Sequence, residues 1–271
     1  MSTTRRRAMR QYASDEEQAV TPVQAGAAVA VLVAGMAVAW VLHSMGGPTP
    51  ITDNLCPVGG VGRHVVVLVD QSDAMSPDQQ RTMETSLSEF IARLRTGDRI
   101  TLFKLSASGE TFAEQLVDVC RPKSRAEANE NVENPRDVAK TYSERYEAPI
   151  RRALGKLRPK VGSEPASPLI EALHTIAHDA KVMSPAQERQ LIAFSDLLQK
   201  SETADFYKGG PYTVAALGDS AYLDAPMEGV AVTLYQLKSP KHLARQAHAL
   251  TFFKELFALT TGGLQPTVRS L

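Results

Sequence analysis

The residues Val65-Val66-Val67-Leu68-Val69 follow His64 and run straight into the polar loop Asp70-Gln71-Ser72-Asp73-Ala74-Met75. A segment apolar at every successive position has no face to give to water. It reads as a central strand buried on both sides, most simply a parallel one. Ser76-Pro77-Asp78-Gln79 then opens a helix. Ser76 is placed to cap it, Pro77 takes the first helical position, and Gln79 can close a capping box. Asp70 and Ser72 therefore lie in a strand-to-helix loop at the carboxyl end of a buried strand, where open α/β sheets bind their ligands.

The chain beyond this loop alternates between the two kinds of element. Met83, Leu87, Phe90, Ile91 and Leu94 recur at helical spacing and predict a helix over 77–95, which Gly97 stops. A strand follows over 99–105, so the unit is a right-handed crossover between parallel strands. Residues 115–120 follow too closely for a second crossover and read as a short antiparallel edge strand. Asn134-Pro135 starts a helix that Pro149 should kink or break, and that resumes through Ile150, Leu154 and Leu157. Ser167-Pro168 repeats the cap signal ahead of Leu169, Leu173 and Ile176. Leu191-Ile192-Ala193-Phe194 is a short strand that ends in Ser195-Asp196. After a loop-rich stretch over 201–229, a strand is predicted over 230–237, then a helix opened by Ser239-Pro240, then a short strand near 265–269. The pattern is that of a doubly wound, mostly parallel α/β sheet with helices on both faces and one antiparallel edge strand.

Ahead of this domain, residues 23–42 carry no charge over 20 positions. At about 1.5 Å per residue that length crosses a bilayer core of about 30 Å. Arg5, Arg6, Arg7 and Arg10 lie before it, and no Lys or Arg follows until Arg63. The positive-inside rule then makes 1–22 a cytoplasmic tail, 23–42 a single transmembrane helix, 43–62 a linker, and 63–271 a domain outside the cytoplasm. In a bacterium that is the inner membrane, with the domain facing the periplasm. Two alternatives stand beside this: a cleaved signal peptide with Ala37-Val38-Ala39 as its small-x-small site, and a buried soluble helix. Thirty basic and 30 acidic side chains cancel, leaving no field of one sign to hold nucleic acid. Cys56 and Cys120 cannot form a four-cysteine zinc site. In an oxidising compartment they would pair as a disulfide; the alternative is two free thiols.

Three loops would converge in such a sheet, carrying Asp70 with Ser72, Ser167, and Asp196. Two carboxylates and two hydroxyls are the oxygen ligands a hard divalent cation takes. At these residues the chain resembles the von Willebrand factor A (VWA) domain and its metal-ion-dependent adhesion site. Asp70-Gln71-Ser72-Asp73-Ala74 matches the first two positions of the family's Asp-x-Ser-x-Ser loop, with Ala74 at the third. Ser167 stands where the family has a threonine, and Asp196 where it has its later aspartate. Residues 256–263 look like the end of the family's last helix. The resemblance implies a protein-binding module rather than an enzyme. Its Mg²⁺ or Mn²⁺, held by Asp70, Ser72, Ser167 and Asp196, would keep one position open for an acidic side chain of a protein partner.

Other signals carry less. His174 and His178 lie one helical turn apart, but Thr175 occupies the place a metalloprotease glutamate needs. The glycine-rich 59–62 segment precedes a strand rather than following one, so it is no dinucleotide loop. Arg121, Lys123 and Arg125 are balanced by Glu127, Glu130 and Glu133 and read as solvated surface. Two rival functions stand beside this reading. One is a metal-free scaffold, favoured by Ala74. The other is an Asp70-dependent phosphotransfer enzyme, disfavoured because Ser72 stands where such folds carry a second aspartate.

Overall fold

The computed structural model describes residues 30–38, 40, 50–107, 111–157, 166–179, 186–208, 212–218, 221–224 and 226–271. The chain divides into two units, Met1–Thr49 and Pro50–Leu271. In the first, residues 30–38 and 40 are helical and exposed. The rest of the 23–42 span, the basic tail before it and residues 43–49 lie outside the described residues. Among the described residues no helix is long and apolar enough to cross a membrane.

The second unit is built on one six-stranded sheet, in the order β3-β2-β1-β4-β5-β6. β1 spans Val61–Val69, β2 Arg99–Leu105, β3 Ala113–Cys120, β4 Ala186–Ser195, β5 Ala231–Gln236 and β6 Thr267–Ser270. Every neighbouring pair is parallel except β2 and β3, which run antiparallel at the edge. β1 is as central as its composition demands: Val65 to Val69 are at most 3% exposed. Its side chains alternate between two cores. Val66 and Leu68 join α4 (Leu169–His178) and α5 (Leu243–Thr260) on one face. Val65, Val67 and Val69 join α1 (Pro77–Ala92) and α3 (Ala148–Lys156) on the other.

Element ends differ from expectation where tertiary contacts act. Ser76 and Gln79 form the reciprocal capping box at the start of α1. α1 ends at Ala92 rather than 95, because the Asp98 carboxylate accepts from the Arg95 N–H at 2.8 Å and folds the next residues into a turn. Leu94 still packs in the core, 3% exposed. Pro149 does not break its helix. α2 (Pro135–Thr141) passes through a π-helical segment, Tyr142–Glu147, directly into α3, with Pro149 in the first turn of α3. The wider segment precedes a residue with no N–H to offer the helix ladder. β4 begins five residues before the apolar run, since Ala186 and the polar Glu188, Arg189 and Gln190 still pair with β1. Ser239-Pro240 opens a 3₁₀ turn, and α5 starts only at Leu243. Arg121 and Lys123 are not bare surface: they pair with Glu127 and Glu133 at 3.0 and 2.9 Å.

Cys56 and Cys120 form a disulfide. Residues 50–60, expected to be linker, make a turn held against the end of β3. The Cys120 N–H donates to the Asn54 carbonyl at 2.9 Å, and Asn54 Nδ2 donates to Asp118 Oδ2 at 3.1 Å. The bridge closes a sequence separation of 64 residues. Cys56→Ser together with Cys120→Ser is expected to lower the unfolding free energy by about 4 kcal/mol in the chain-entropy account. Urea titration of the variant, and of the wild type with and without reductant, checks it.

Candidate functional site

Sheet order sets where a site can form. β1 and β4 are adjacent, and from them the connections wind to opposite edges, β2 and β3 on one side, β5 and β6 on the other. The carboxyl ends of β1 and β4 thus flank a crevice at the topological switch point. Asp70 follows β1, with its N–H on the Phe194 carbonyl at 2.8 Å, and Asp196 follows β4. The third loop is tied in through main chain. Ser167 and Lys200, on the loop after β4, exchange two backbone hydrogen bonds of 2.9 Å each.

Asp70 is 3% exposed, and each of its carboxylate oxygens accepts two hydrogen bonds. Oδ1 takes the Ser72 N–H at 2.9 Å and the Ser72 hydroxyl at 2.6 Å. Oδ2 takes the Ser195 hydroxyl at 2.7 Å and the Ser167 hydroxyl at 3.2 Å. Ser167 was expected to be able to cap its helix whether or not a metal binds. Instead Pro168 stands at the cap, and the Ser167 hydroxyl is given to Asp70. The start of α4 is served from elsewhere, the Ile170 N–H donating to Gln199 Oε1 at 2.9 Å.

Asp196 completes the floor. Its Oδ1 accepts the Leu198 N–H at 2.9 Å. The turn that allows this holds Leu197 at φ 65°, a left-handed conformation uncommon outside glycine. Oδ2 of Asp196 is buried and has no hydrogen-bond partner. Burial pushes the Asp196 carboxyl up to about 8, with the negative charges of Asp70 and Asp73 acting in the same direction. Burial also raises Asp70, against the lowering effect of its four hydrogen bonds. Among the described residues no Lys, Arg or His forms an ion pair with Asp70, Asp73 or Asp196, so the two buried acids make no ion pair with a basic side chain.

The residues fit a hard divalent cation on two grounds. Asp196, which lines the crevice, carries a carboxylate oxygen without a hydrogen-bond partner, and Ser72 and Ser167, which donate their protons to Asp70, keep lone pairs that can ligate a cation. All four residues expected from the sequence, Asp70, Ser72, Ser167 and Asp196, are brought together. Ala74, at the third position of the loop, is exposed and offers no ligand atom. Among the described residues no group of three or more His, Cys, Asp and Glu is placed to hold a metal, and the rings of His174 and His178 lie 4.1 Å apart, tilted by 35°. The crevice opens into a cleft of about 600 Å³, with Asp70, Asp73 and Asp196 on its floor and Lys238, Lys241 and His242 among its lining.

Sequence reasoning missed four contributors. Ser195 hides as the last residue of an apolar strand, yet it both donates to Asp70 and accepts the Leu197 N–H at 2.8 Å. Asp73 lies in the 70–75 loop at a position the Asp-x-Ser-x-Ser pattern leaves open. Tyr207, whose hydroxyl donates to Asp73 Oδ2 at 3.1 Å, lies in the stretch least legible from sequence. Gln246 of α5 donates from Nε2 to the carbonyls of Asp196 at 3.0 Å and Leu237 at 2.8 Å. Amide side chains inside an amphipathic helix give no sequence signal of that kind.

An acid whose folded pKa lies above its unfolded value binds more protons when folded, so stability falls as pH rises between the two. For Asp196 that window runs from 3.8 to about 8. In chelator, the melting temperature is expected to fall from pH 5 to pH 8, and Asp196→Asn to flatten the slope; calorimetry across that range checks both. Ser195→Ala removes one donor to Asp70 and the acceptor for Leu197. It is expected to cost about 1–3 kcal/mol in denaturant unfolding.

No protein-family model matches the chain, and no curated protein does. Solved structures similar to it include an aerotolerance-related membrane protein from Bacteroides fragilis, at 12% identity over 66% of this chain and 69% of that one, TM-score 0.40. BatB from Bacteroides thetaiotaomicron is 15% identical over 65% of this chain and 66% of that one, TM-score 0.38. The VWA domain of SpRpn10 is 10% identical over 78% of this chain and 88% of that one, TM-score 0.41. At such scores the likeness decides nothing by itself; the α/β architecture rests on this chain's own sheet.

Proposed function

We propose that this chain is a membrane-anchored binding module. Its VWA-like domain lies outside the cytoplasm and engages a protein partner through a divalent cation, Mg²⁺ or Mn²⁺. The cation would be held by Asp70, Ser72, Ser167 and Asp196, and would supply an electrophilic centre for an acidic group of the partner. The observation that carries this reading is the buried, unpartnered Oδ2 of Asp196 beside a buried Asp70. A divalent cation removes the repulsion between the two acids and satisfies the orphaned oxygen at once. Lys238 and Lys241 in the cleft lining favour an acidic partner segment.

Catalysis is not part of the proposal. Asp70, the residue a phosphotransfer reading would use as nucleophile, has both oxygens engaged by hydroxyl and amide donors. The placement outside the cytoplasm rests on the arginine asymmetry about residues 23–42, and the disulfide suits an oxidising compartment. The part of that span that is described keeps Val31, Leu32, Met36 and Trp40 well exposed, an apolar surface suited to lipid. A metal-free scaffold is the second reading, and Ala74 is the observation that favours it.

Full-length protein in detergent should melt higher in Mn²⁺ or Mg²⁺ than in chelator. A ligand at 100 times its Kd contributes about 2.7 kcal/mol. Asp70→Ala should abolish the rise; no rise in the wild type leaves the scaffold. In cells, protease added from outside should reach the domain, and cleavage only from the cytoplasmic side would overturn the placement.

A further inference from the structure

We infer that the basic face of α3, formed by Arg151, Arg152 and Lys156, docks an acidic segment of the protein partner beside the crevice. The inference rests on the reading of the domain as a protein-binding module and not on the cation.

Over residues 148–163 the sequence carries five basic side chains and no acidic one, in a chain whose total charges cancel. α3 fixes where three of the five lie. Ile150, Ala153 and Leu157 are buried, in the same core as Tyr146. Helical spacing then turns Arg151, Arg152, Gly155 and Lys156 outward, and all four are exposed. The exposed arginines along α1 carry their own acids, Arg81 on Asp78 and Arg93 on Glu89. Arg151 and Arg152 form no ion pair among the described residues, although Glu147 lies one turn before Arg151. Lys156 meets Glu114 of β3 at 3.5 Å with both side chains exposed, a pair weak enough for a partner's acid to replace. Gly155 leaves bare backbone between these bases. A Cβ there would meet nothing within 4 Å outside its own helix backbone, so packing does not require the glycine. Glycine is a poor helix former, and on an exposed turn it suits close approach by another chain.

The face adjoins the crevice. Gln71, between Asp70 and Ser72, donates from Nε2 to the Leu157 carbonyl just past α3. At about 1.5 Å per residue, Arg151 lies about 9 Å along the axis from that contact. In the other direction Arg145 donates to the Asp53 carbonyl at 2.8 Å, in the turn through which the chain enters the domain. From that turn the bases step toward the crevice, which favours a protein segment reaching the crevice over a lipid headgroup surface. Lys156 stands beside β3 and Lys238 follows β5, so bases lie on both sides of the loop after β1. An acidic segment crossing the crevice mouth meets complementary charge at each end.

A fluorescein-labelled decaglutamate peptide tests this by anisotropy, with the full-length chain in uncharged detergent, chelator and low salt, where exposed charges are least screened. The wild type should bind it and should not bind a decalysine peptide. Arg151→Glu with Arg152→Glu should weaken binding by about tenfold or more, and Arg151→Gln with Arg152→Gln by less. Arg125→Glu with Lys254→Glu makes the same change of charge at exposed positions elsewhere and should leave binding close to that of the wild type. All these variants should melt with the wild type, because every substituted side chain is exposed. No binding by the wild type, or equal losses in the two charge-reversed variants, overturns the proposal. Displacement of the peptide by phosphatidylserine added to the micelles, at equal concentration of anionic groups, also overturns it, in favour of lipid. If binding persists in Arg151→Glu with Arg152→Glu but is lost in Lys238→Glu with Lys241→Glu, the domain still takes acidic segments and only the assignment to α3 fails. No metal is present in this assay, so its failure leaves the cation reading to its own test.

Discussion

The burial of the Asp70 carboxylate at the end of β1 is the constraint on which the rest of this domain is arranged. An ionised carboxylate removed from water is costly unless every lone pair is answered. Here the answers come from three separate segments: Ser72 in its own loop, Ser195 at the end of β4, and Ser167 before α4. None is near the others in sequence, so the site exists only once β1 and β4 are paired and Ser167 is hooked to Lys200. Formation of the fold and formation of the site are the same event.

Much of this was legible because it depended on patterns a backbone imposes. A five-residue run such as Val65–Val69 can only be central, and its end must carry the loop that faces a switch point. The capping box at Ser76 is local chemistry, fully contained in four residues, and it forms as written. The features that escaped are those in which a local preference loses to a tertiary one. Ser167 has every attribute of a helix cap, yet Asp70 takes its hydroxyl and Gln199 serves the helix instead. The first half of β4 is too polar to read as strand, but pairing with β1 draws it into the sheet. Pro149 is tolerated because a π-helical segment precedes it, an adjustment no propensity scale anticipates. Tyr207 and Gln246 reach the site by folding alone.

A second polar layer lies behind the first and explains how the loops are held. Glu171, 3% exposed, accepts Gln199 Nε2 at 2.8 Å and the Ser201 hydroxyl. Gln199 Oε1 in turn accepts the Ile170 N–H. This short chain of hydrogen bonds fastens the first turn of α4 to the loop after β4, so Ser167 and Asp196 cannot move independently. Gln246 does the same for α5, tying the Asp196 and Leu237 carbonyls to one amide. Satisfied networks of this kind rigidify the segments they join.

That rigidity bears on why two acids can be left without a basic partner. A flexible site would relieve the repulsion by turning Asp196 out to water, at the cost of one hydrogen bond to Leu198. The left-handed Leu197, the hydroxyl of Ser195 beneath it and the Gln246 amide behind it close off that escape. The charge conflict is therefore stored in the folded state rather than dissipated, and only a species carrying positive charge into the cleft can release it. Up to about pH 8 a proton on Asp196 does so; the proposed divalent cation would do so by displacing that proton. Selectivity of the proposed cation site would thus follow from the stiffness of the surrounding polar framework as much as from the ligands themselves.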